Sequence, residues 1–245
     1  MYRDCLEIWR GKVELLKKYA ADADILAQKI IDAAMHGNLT EQRAEDGTAD
    51  EILMVLMKKL EKKRKLKISL EELSQKDIPD TWRWCRLSDI GTTNVGLTYH
   101  PEDVKENGTV VLRSTNIQDG RMDYSDIVKV DCPIRENQYL NPGDILICAR
   151  NGSPSLVGKS AIYDGSRGKV AFGAFMAVFR SECNPYLSYY FQSRMFRRYF
   201  VNDDTKQIHQ ITQKILKDAI VPLPPLAEQR RIVQKLQSIF SALLG

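Results

Sequence analysis

Apolar residues in the first part of the chain fall at Leu6, Trp9, Val13, Leu16, Ala20, Ala23, Ala27, Ile30 and Ala34, in alternating steps of three and four. Such spacing holds one stripe along a helix and predicts a long coiled-coil-type element. An amphipathic core helix would leave the same trace. Small residues in its second half favour close approach of a neighbouring helix, and Gly37 stands where a left-handed C-cap belongs. Thr48-Ala-Asp-Glu51 then predicts a capping box for a second helix carrying Ile52, Val55, Leu56 and Leu60. That helix runs into the basic stretch Lys58–Lys67, which suits either a solvated face or an arm laid against phosphates.

From Asp77 the period changes. Short β-branched and aromatic runs alternate with Gly, Asn, Asp and Pro turns. They predict strands at Trp84–Leu87, Thr109–Leu112, Ile127–Val130, Ile145–Ala149, Ser160–Tyr163, Val170–Phe172 and Met176–Phe179. Pro185–Tyr199 predicts a helix with Leu187, Tyr190, Phe191, Met195 and Tyr199 on one side and Arg194, Arg197 and Arg198 exposed. A shorter helix spans Gln213–Lys217. Ala219-Ile-Val221 reads as a buried strand, ended by Pro222, Pro224 and Pro225, since proline cannot donate to a ladder. A last helix starts near Pro225 or Leu226 with Glu228 at its positive end. Its Ile232, Leu236, Ile239 and Leu243 recur at helical spacing, as a face meant for a partner. The predicted class is α+β, with a helical region over 1–76, a β-rich domain with appended helices over 77–224, and the start of a seam helix over 225–245.

Composition narrows the chemistry more by what it lacks. At 245 residues, one domain plus a helical extension is expected. The net charge of +4 is modest, so placement must carry any argument about polyanions. Arg150, Lys159, Arg167, Lys169, Arg194, Arg197, Arg198, Lys206, Lys214 and Lys217 follow an acidic stretch, and they suit a polyanion if they share a face. Cys5, Cys85, Cys132, Cys148 and Cys183 are scattered without CxxC pairs, which points to reduced structural thiols rather than zinc or disulfides. No secretory signal and no apolar run of membrane-spanning length is present, so a cytoplasmic protein without membrane attachment is expected. His36, His100 and His209 are spaced for neither a metal nor a catalytic triad, and no GxxxxGK[ST] loop occurs. Pro79-Asp80 with Asp103-Val-Lys105 superficially fits a metal-dependent nuclease, but so short a pattern arises often by chance. Asn184-Pro-Tyr186 lacks the second proline of an adenine-methylating tetrapeptide, and Asn184 is expected to cap the following helix. Neither cofactor nor metal is expected.

Six stretches carry a resemblance. Pro222-Leu-Pro-Pro-Leu-Ala-Glu-Gln-Arg-Arg-Ile-Val233 resembles the motif that closes a target-recognition domain in the DNA specificity subunits of type I restriction-modification systems. Ile31-Asp-Ala-Ala-Met-His-Gly-Asn-Leu-Thr-Glu-Gln42 is similar to the helix end before that domain, and Ile78-Pro-Asp-Thr-Trp-Arg-Trp-Cys-Arg-Leu87 to its opening. Val111–Ile117, Gly143–Leu146 and Ala149–Ser153 resemble segments of one recognition-domain class. Family members usually carry two such domains separated by helical regions, whereas this sequence has one, so a half-length subunit or a piece of a longer one is expected. The resemblance implies a non-catalytic module that reads double-stranded DNA and docks methyltransferase subunits and, in some systems, a restriction subunit with nuclease and translocase activity.

Base edges need polar loops, since Arg pairs with guanine and Asn or Gln with adenine in the major groove. The candidates are Thr98, Tyr99, Arg113, Ser114, Asn116, Arg150, Asn151, Ser153, Lys206, Gln207, His209, Gln210 and Thr212. The candidate seam for a partner or second copy comprises Leu6, Trp9, Val13, Leu16, Ile30, Ile232, Leu236, Ile239 and Leu243. A seam helix of about thirty residues would measure roughly 45 Å, on the order of thirteen base-pair steps, and two copies in a homodimer would then read a split palindrome. A stand-alone helical assembly protein is the competing class.

Overall fold

The computed structural model describes residues 22–61, 78–202, 207–208 and 210–244. In chain order the strands are β1 (Arg83–Arg86), β2 (Thr92–Val95), β3 (Val104–Leu112), β4 (Ile117–Gln118), β5 (Arg121–Met122), β6 (Val128–Val130) and β7 (Ile145–Cys148). They continue as β8 (Ser160–Ile162), β9 (Ala171–Phe172), β10 (Met176–Arg180), β11 (Val201–Asn202), β12 (Gln207–Ile208) and β13 (Ile220–Leu223). The helices are α1 over 22–35, α2 (Ala49–Lys59), α3 (Leu87–Ile90), α4 (Asn184–Gln192), α5 (Arg194–Arg197), α6 (Gln213–Asp218) and α7 (Leu226–Leu244).

The centre is a four-stranded antiparallel sheet in the order β2-β10-β7-β8. β7 is apolar at every position, as a strand covered on both faces must be. Its Ile145 and Ile147 point into one core with Ala177 and Phe179 of β10 and the aromatic residues of α4 and α5. Leu146 and Cys148 point the other way, onto Met176, Val178, Phe172 and Tyr163. A second sheet, β6-β3-β9, pairs β3 with β6 antiparallel and with β9 parallel. The register of β3 on β6 shifts between Val104 and Thr109, where a side chain on Gly108 would run into the Val130 backbone at 2.4 Å. Asp119 and Gly120, both at positive φ, make the two-residue turn of the β4–β5 hairpin. The Arg180 guanidinium bonds Asp144 at 2.9 Å, Asn94 at 2.8 Å and the Tyr139 carbonyl at 2.6 Å, tying β2 and β10 to the turn before β7.

Sequence periodicity located most of these elements but misassigned three details. The helix expected over Pro185–Tyr199 breaks at Ser193, whose hydroxyl accepts from the Phe196 N–H to start α5. Pro222 does not end a strand; it lies within β13, opposite Trp84 of β1, and its carbonyl takes the Tyr186 hydroxyl at 2.8 Å. Asn184 is not a cap; its amide donates to the carbonyls of Gly143 at 2.7 Å and Phe179 at 3.1 Å, inside the fold. The opening of α2 at Thr48 is as expected, though without a capping bond from the threonine side chain, and Gly37 takes the left-handed conformation at φ +74.

The partner seam needs a larger correction. Ile232 and Leu236 of α7 are completely buried in this chain's own core, and Ile30 packs on the same cluster. Burying a side chain of that size contributes roughly 1.5–3 kcal/mol, so α7 is held down by the stripe that was expected to await another helix. Tyr189 of α4 stacks on Phe240 of α7 with centroids 6.1 Å apart. The buried face of α1 is Ile31, Ala34 and Met35, so it keeps Ala34 of the expected stripe and adds two residues beside it. Ile239 is half-buried. Leu6, Trp9, Val13 and Leu16 lie outside the described residues, as does most of the basic stretch. Among the described residues, no helix is long and apolar enough to cross a membrane.

Candidate nucleic-acid interface

Two places concentrate polar side chains. The first is the junction where α1, β1 and α7 meet. Glu228, in the first turn of α7, is only 1% exposed. One of its oxygens accepts from Gln42 Nε2 at 2.8 Å and Thr40 Oγ1 at 3.2 Å, and the other from Trp82 Nε1 at 2.8 Å. A buried carboxylate is costly unless its acceptors are used, and here three donors and the positive end of α7 use them. Gln229 Nε2 donates to the Pro224 carbonyl at 2.8 Å, shaping the proline turn. Arg231 holds Asp46 through a two-pronged ion pair, Nη1 to Oδ1 at 2.9 Å, and adds a bond to the Glu41 carbonyl. The Arg231 guanidinium holds the Asp46 carboxyl below its ordinary range. Every polar group of the Glu-Gln-Arg-Arg stretch that faces inward therefore ties chain to chain, and none is left aimed at a ligand.

The second place is a rim of loops, and its hub is the loop from Phe172 to Met176 between β9 and β10. Leu97 N–H donates to the Phe172 carbonyl at 2.7 Å, and Gly173 N–H to the Leu112 carbonyl at 2.9 Å. Ala149 and Arg150 N–H groups both donate to the Phe175 carbonyl, at 2.9 and 3.0 Å. Ile211 N–H reaches the Ala149 carbonyl at 2.8 Å. Four loops distant in sequence thus share one backbone network. Gly96 lets the first of them approach, since a Cβ there would sit 2.2 Å from the Gly173 carbonyl oxygen.

The rim brings together Arg113, Ser114, Arg150, Asn151, Ser153 and Gln210. Asn151 Nδ2 donates to Ser114 Oγ at 2.9 Å while its Oδ1 accepts from the Ser153 N–H at 2.9 Å. Ser153 faces the Ser155 hydroxyl at 3.2 Å. Arg150 is exposed, with its guanidinium 5.6 Å from the centre of the Phe175 ring. Arg113 Nη2 meets Asp126 at 2.9 Å, and its Nε is buried without a partner. Thr98 is exposed one residue beyond the Leu97 contact. These are short, hydrogen-bonding side chains and two guanidinium groups at the mouth of a rigid sheet, which is the equipment base edges and phosphates require.

Other candidates do different work. Asn116 is fully buried; its Oδ1 accepts from the Arg113 N–H, and its Nδ2 donates to the carbonyls of Asp123 and Asp126. With those groups spent it shapes the turn that presents Arg113 and cannot reach a base. Thr212 caps α6, accepting from Ile215 N–H at 3.2 Å. Tyr99 is half-buried against the Leu97, Val111, Val130 and Ala171 cluster. The backbone of Gln207 pairs with Asn202 in the β11–β12 hairpin, while Lys206 and His209 lie outside the described residues. Several of the basic residues expected on one face are engaged in ion pairs, Lys169 with Glu136, Arg194 beside Asp32 and Lys214 with Asp218. Asp103, from the nuclease-like pattern, accepts the His100 N–H at 2.7 Å and caps a turn. Burial pushes the Cys148 and Cys183 thiols up to about 11, so both stay protonated at neutral pH. Sequence reasoning missed Phe175 altogether, because a lone apolar residue in a turn has no periodicity to betray it.

Comparison with known proteins follows the same outline. Residues 79–244 match the family described as type I restriction modification DNA specificity domain. The chain is 30% identical over 178 residues to the EcoKI specificity subunit of Escherichia coli strain K12, covering 69% of this chain and 38% of that one. It is also 30% identical over 173 residues to the StySPI specificity subunit of Salmonella potsdam, covering 67% and 37% respectively. A crystal structure of the HsdS subunit from Thermoanaerobacter tengcongensis shares the fold with a TM-score of 0.53 at 21% identity, over 96% of this chain and 50% of that one. The matched part of the chain therefore covers well under half the length of those two curated relatives.

Proposed function

From the premise that this chain belongs to the type I restriction-modification DNA specificity family, we propose that it is a sequence-reading subunit with no catalytic groups of its own. The observation that carries the reading is the convergence of three loops on the Phe172–Met176 hub, with a fourth joined through Ala149, which gathers Arg113, Ser114, Arg150, Asn151, Ser153 and Gln210 at one edge of the sheet. Base recognition needs side chains held in register by a scaffold that does not yield. Residues 77–224 are the target-recognition domain, reading one half-site, and 225–245 begin the helix that follows it. Lys206, Gln207 and His209 remain candidates for the same surface. The methyltransferase subunits, and a restriction subunit where one exists, dock on the helical parts, and the work is done in the cytoplasm on host DNA.

Because Ile232 and Leu236 face inward, the homodimer proposal rests on Leu6, Trp9, Val13 and Leu16. Two copies joined there would read a split palindrome. Sedimentation of the full chain with duplex DNA tests this, and a monomer on one undivided site would contradict it.

Selection of the full chain on a pool of randomised duplexes tests the reading itself. A recovered consensus, with affinity falling steeply as salt rises, is the expected result. Binding to protein partners without any preference among duplexes would favour the assembly-protein alternative.

A further inference from the structure

Phe175 is 58% exposed, the most exposed of the large apolar residues among those described. It sits at the hub of the rim, and its setting is rigid. The flanking Gly173 and Met176 are buried, the Met176 N–H closes a turn onto the Gly173 carbonyl at 2.8 Å, and the Phe175 carbonyl takes two further N–H groups. The chain thus fixes an aromatic ring in solvent beside the Arg150 guanidinium, on a loop whose backbone is tied to the segments that carry Ser114, Asn151 and Ser153, where a polar residue would cost nothing in the fold.

Resting on the reading of this rim as a duplex reader, we propose that Phe175 is a specificity-determining residue that packs against the C5-methyl group of a thymine in the major groove. Two features select this contact over others. The Arg150 guanidinium lies 5.6 Å over the ring, so one face is already covered. A ring used as a wedge between base steps needs both faces free for the bases it separates. What remains available is the edge and one face, suited to a small apolar projection. The thymine methyl is the apolar group that projects into the major groove; the other edge groups there are hydrogen-bond donors and acceptors or the flush C5–H of cytosine. The flanking Arg150, Ser114 and Asn151 then meet the polar edges of neighbouring pairs, while Phe175 supplies the one contact that hydrogen bonding cannot.

The experiment uses the full chain and the consensus recovered from randomised duplexes. Each thymidine of that consensus is replaced in turn by deoxyuridine, which removes only the methyl group. The wild-type chain should lose roughly 3- to 10-fold in affinity at one position and be indifferent elsewhere. Phe175→Ala should lose a similar factor on the unmodified duplex and become insensitive to deoxyuridine at that position. Phe175→Leu, still apolar, should keep part of the discrimination. The exposure of the ring means these variants fold as the wild type does, which circular dichroism checks. A consensus with no A·T pair, a deoxyuridine scan that is flat for the wild type, or a penalty that survives in Phe175→Ala would each overturn the inference. So would an unchanged consensus and affinity in Phe175→Ala, which would point to a protein partner at the ring. If the wild-type chain recovers no consensus at all, the underlying reading of the rim fails first.

Discussion

The junction at Glu228 and the rim around Phe175 are both built from polar side chains on irregular backbone, yet they spend those groups in opposite directions. At the junction each donor has an acceptor within the chain: Trp82, Gln42 and Thr40 on Glu228, Arg231 on Asp46, Gln229 on Pro224. At the rim the loops are tied to one another through backbone bonds, but the side chains of Arg150, Ser153 and Gln210 are exposed, as is the ring of Phe175. The difference separates two tasks that similar residues can perform. Inward satisfaction fixes the angle between helices and domain. Outward presentation on an immobile frame leaves binding capacity in reserve.

Replacing Glu228 with leucine should expose the contrast most strongly. Three donors would lose their acceptor in a buried site, at a cost on the order of 3 kcal/mol or more. The urea midpoint should fall while the m-value holds, and the duplex consensus should survive wherever the chain is still folded. A loss below ~1 kcal/mol would show that the junction is held by apolar packing alone. Trp82→Phe is a milder probe of the same place. It keeps the edge-on packing of the ring against Tyr186 but removes one charge-assisted bond, for about 1.5–3 kcal/mol.

Arg150→Ala should reverse the pattern. Stability should change by no more than ~0.5 kcal/mol, while duplex affinity drops by about 1–3 kcal/mol if the guanidinium reads a base. If it contacts phosphate instead, the loss should be uniform across sequences with the salt slope lowered by about one. The smallest effect is a pH dependence at Asp46. Arg231 lowers its folded pKa, so the ion pair contributes fully above the ordinary carboxyl value of 3.8 and fades as pH falls through the lowered one. Asp46→Asn should therefore have a lower melting temperature than wild type at neutral pH, and the gap should narrow as acid is added.

How much of this was legible in the sequence differs between the two regions. Strand positions such as Ile145–Cys148 and Met176–Arg180 were readable because burial on two faces demands uninterrupted apolar runs. The closing motif was readable as a family resemblance, and Glu228 as a helix-start residue. Its role as the common acceptor for Thr40, Gln42 and Trp82 was not, since those residues lie far away along the chain. The inward stripe of α7 was misread because Ile232 and Leu236 repeat identically whether the neighbour is another chain or the same one. At the rim the structure leaves Arg150 exposed and sets Asn151 beside Ser114, whereas Asn116 is buried and bonded within its own turn. An asparagine in a polar loop offers its amide equally to a base or to its own backbone, and only the turn geometry decides. Tyr99 and Phe175 make the same point, since their surroundings come from loops brought together by β-sheet pairing.

One feature of the junction reaches further. β1 pairs with β13 from Arg83↔Leu223 to Arg86↔Ile220, and the residues just outside that pair converge on a single carboxylate. The polypeptide therefore comes in and goes out through one doorway, and everything between is a closed circuit hung from it. A different set of loops spliced between those two strands would change what is recognised without disturbing the doorway. Exchanging rim loops while keeping α4, whose Tyr189 stacks on Phe240 of α7, would leave the doorway and the surrounding helices as they stand.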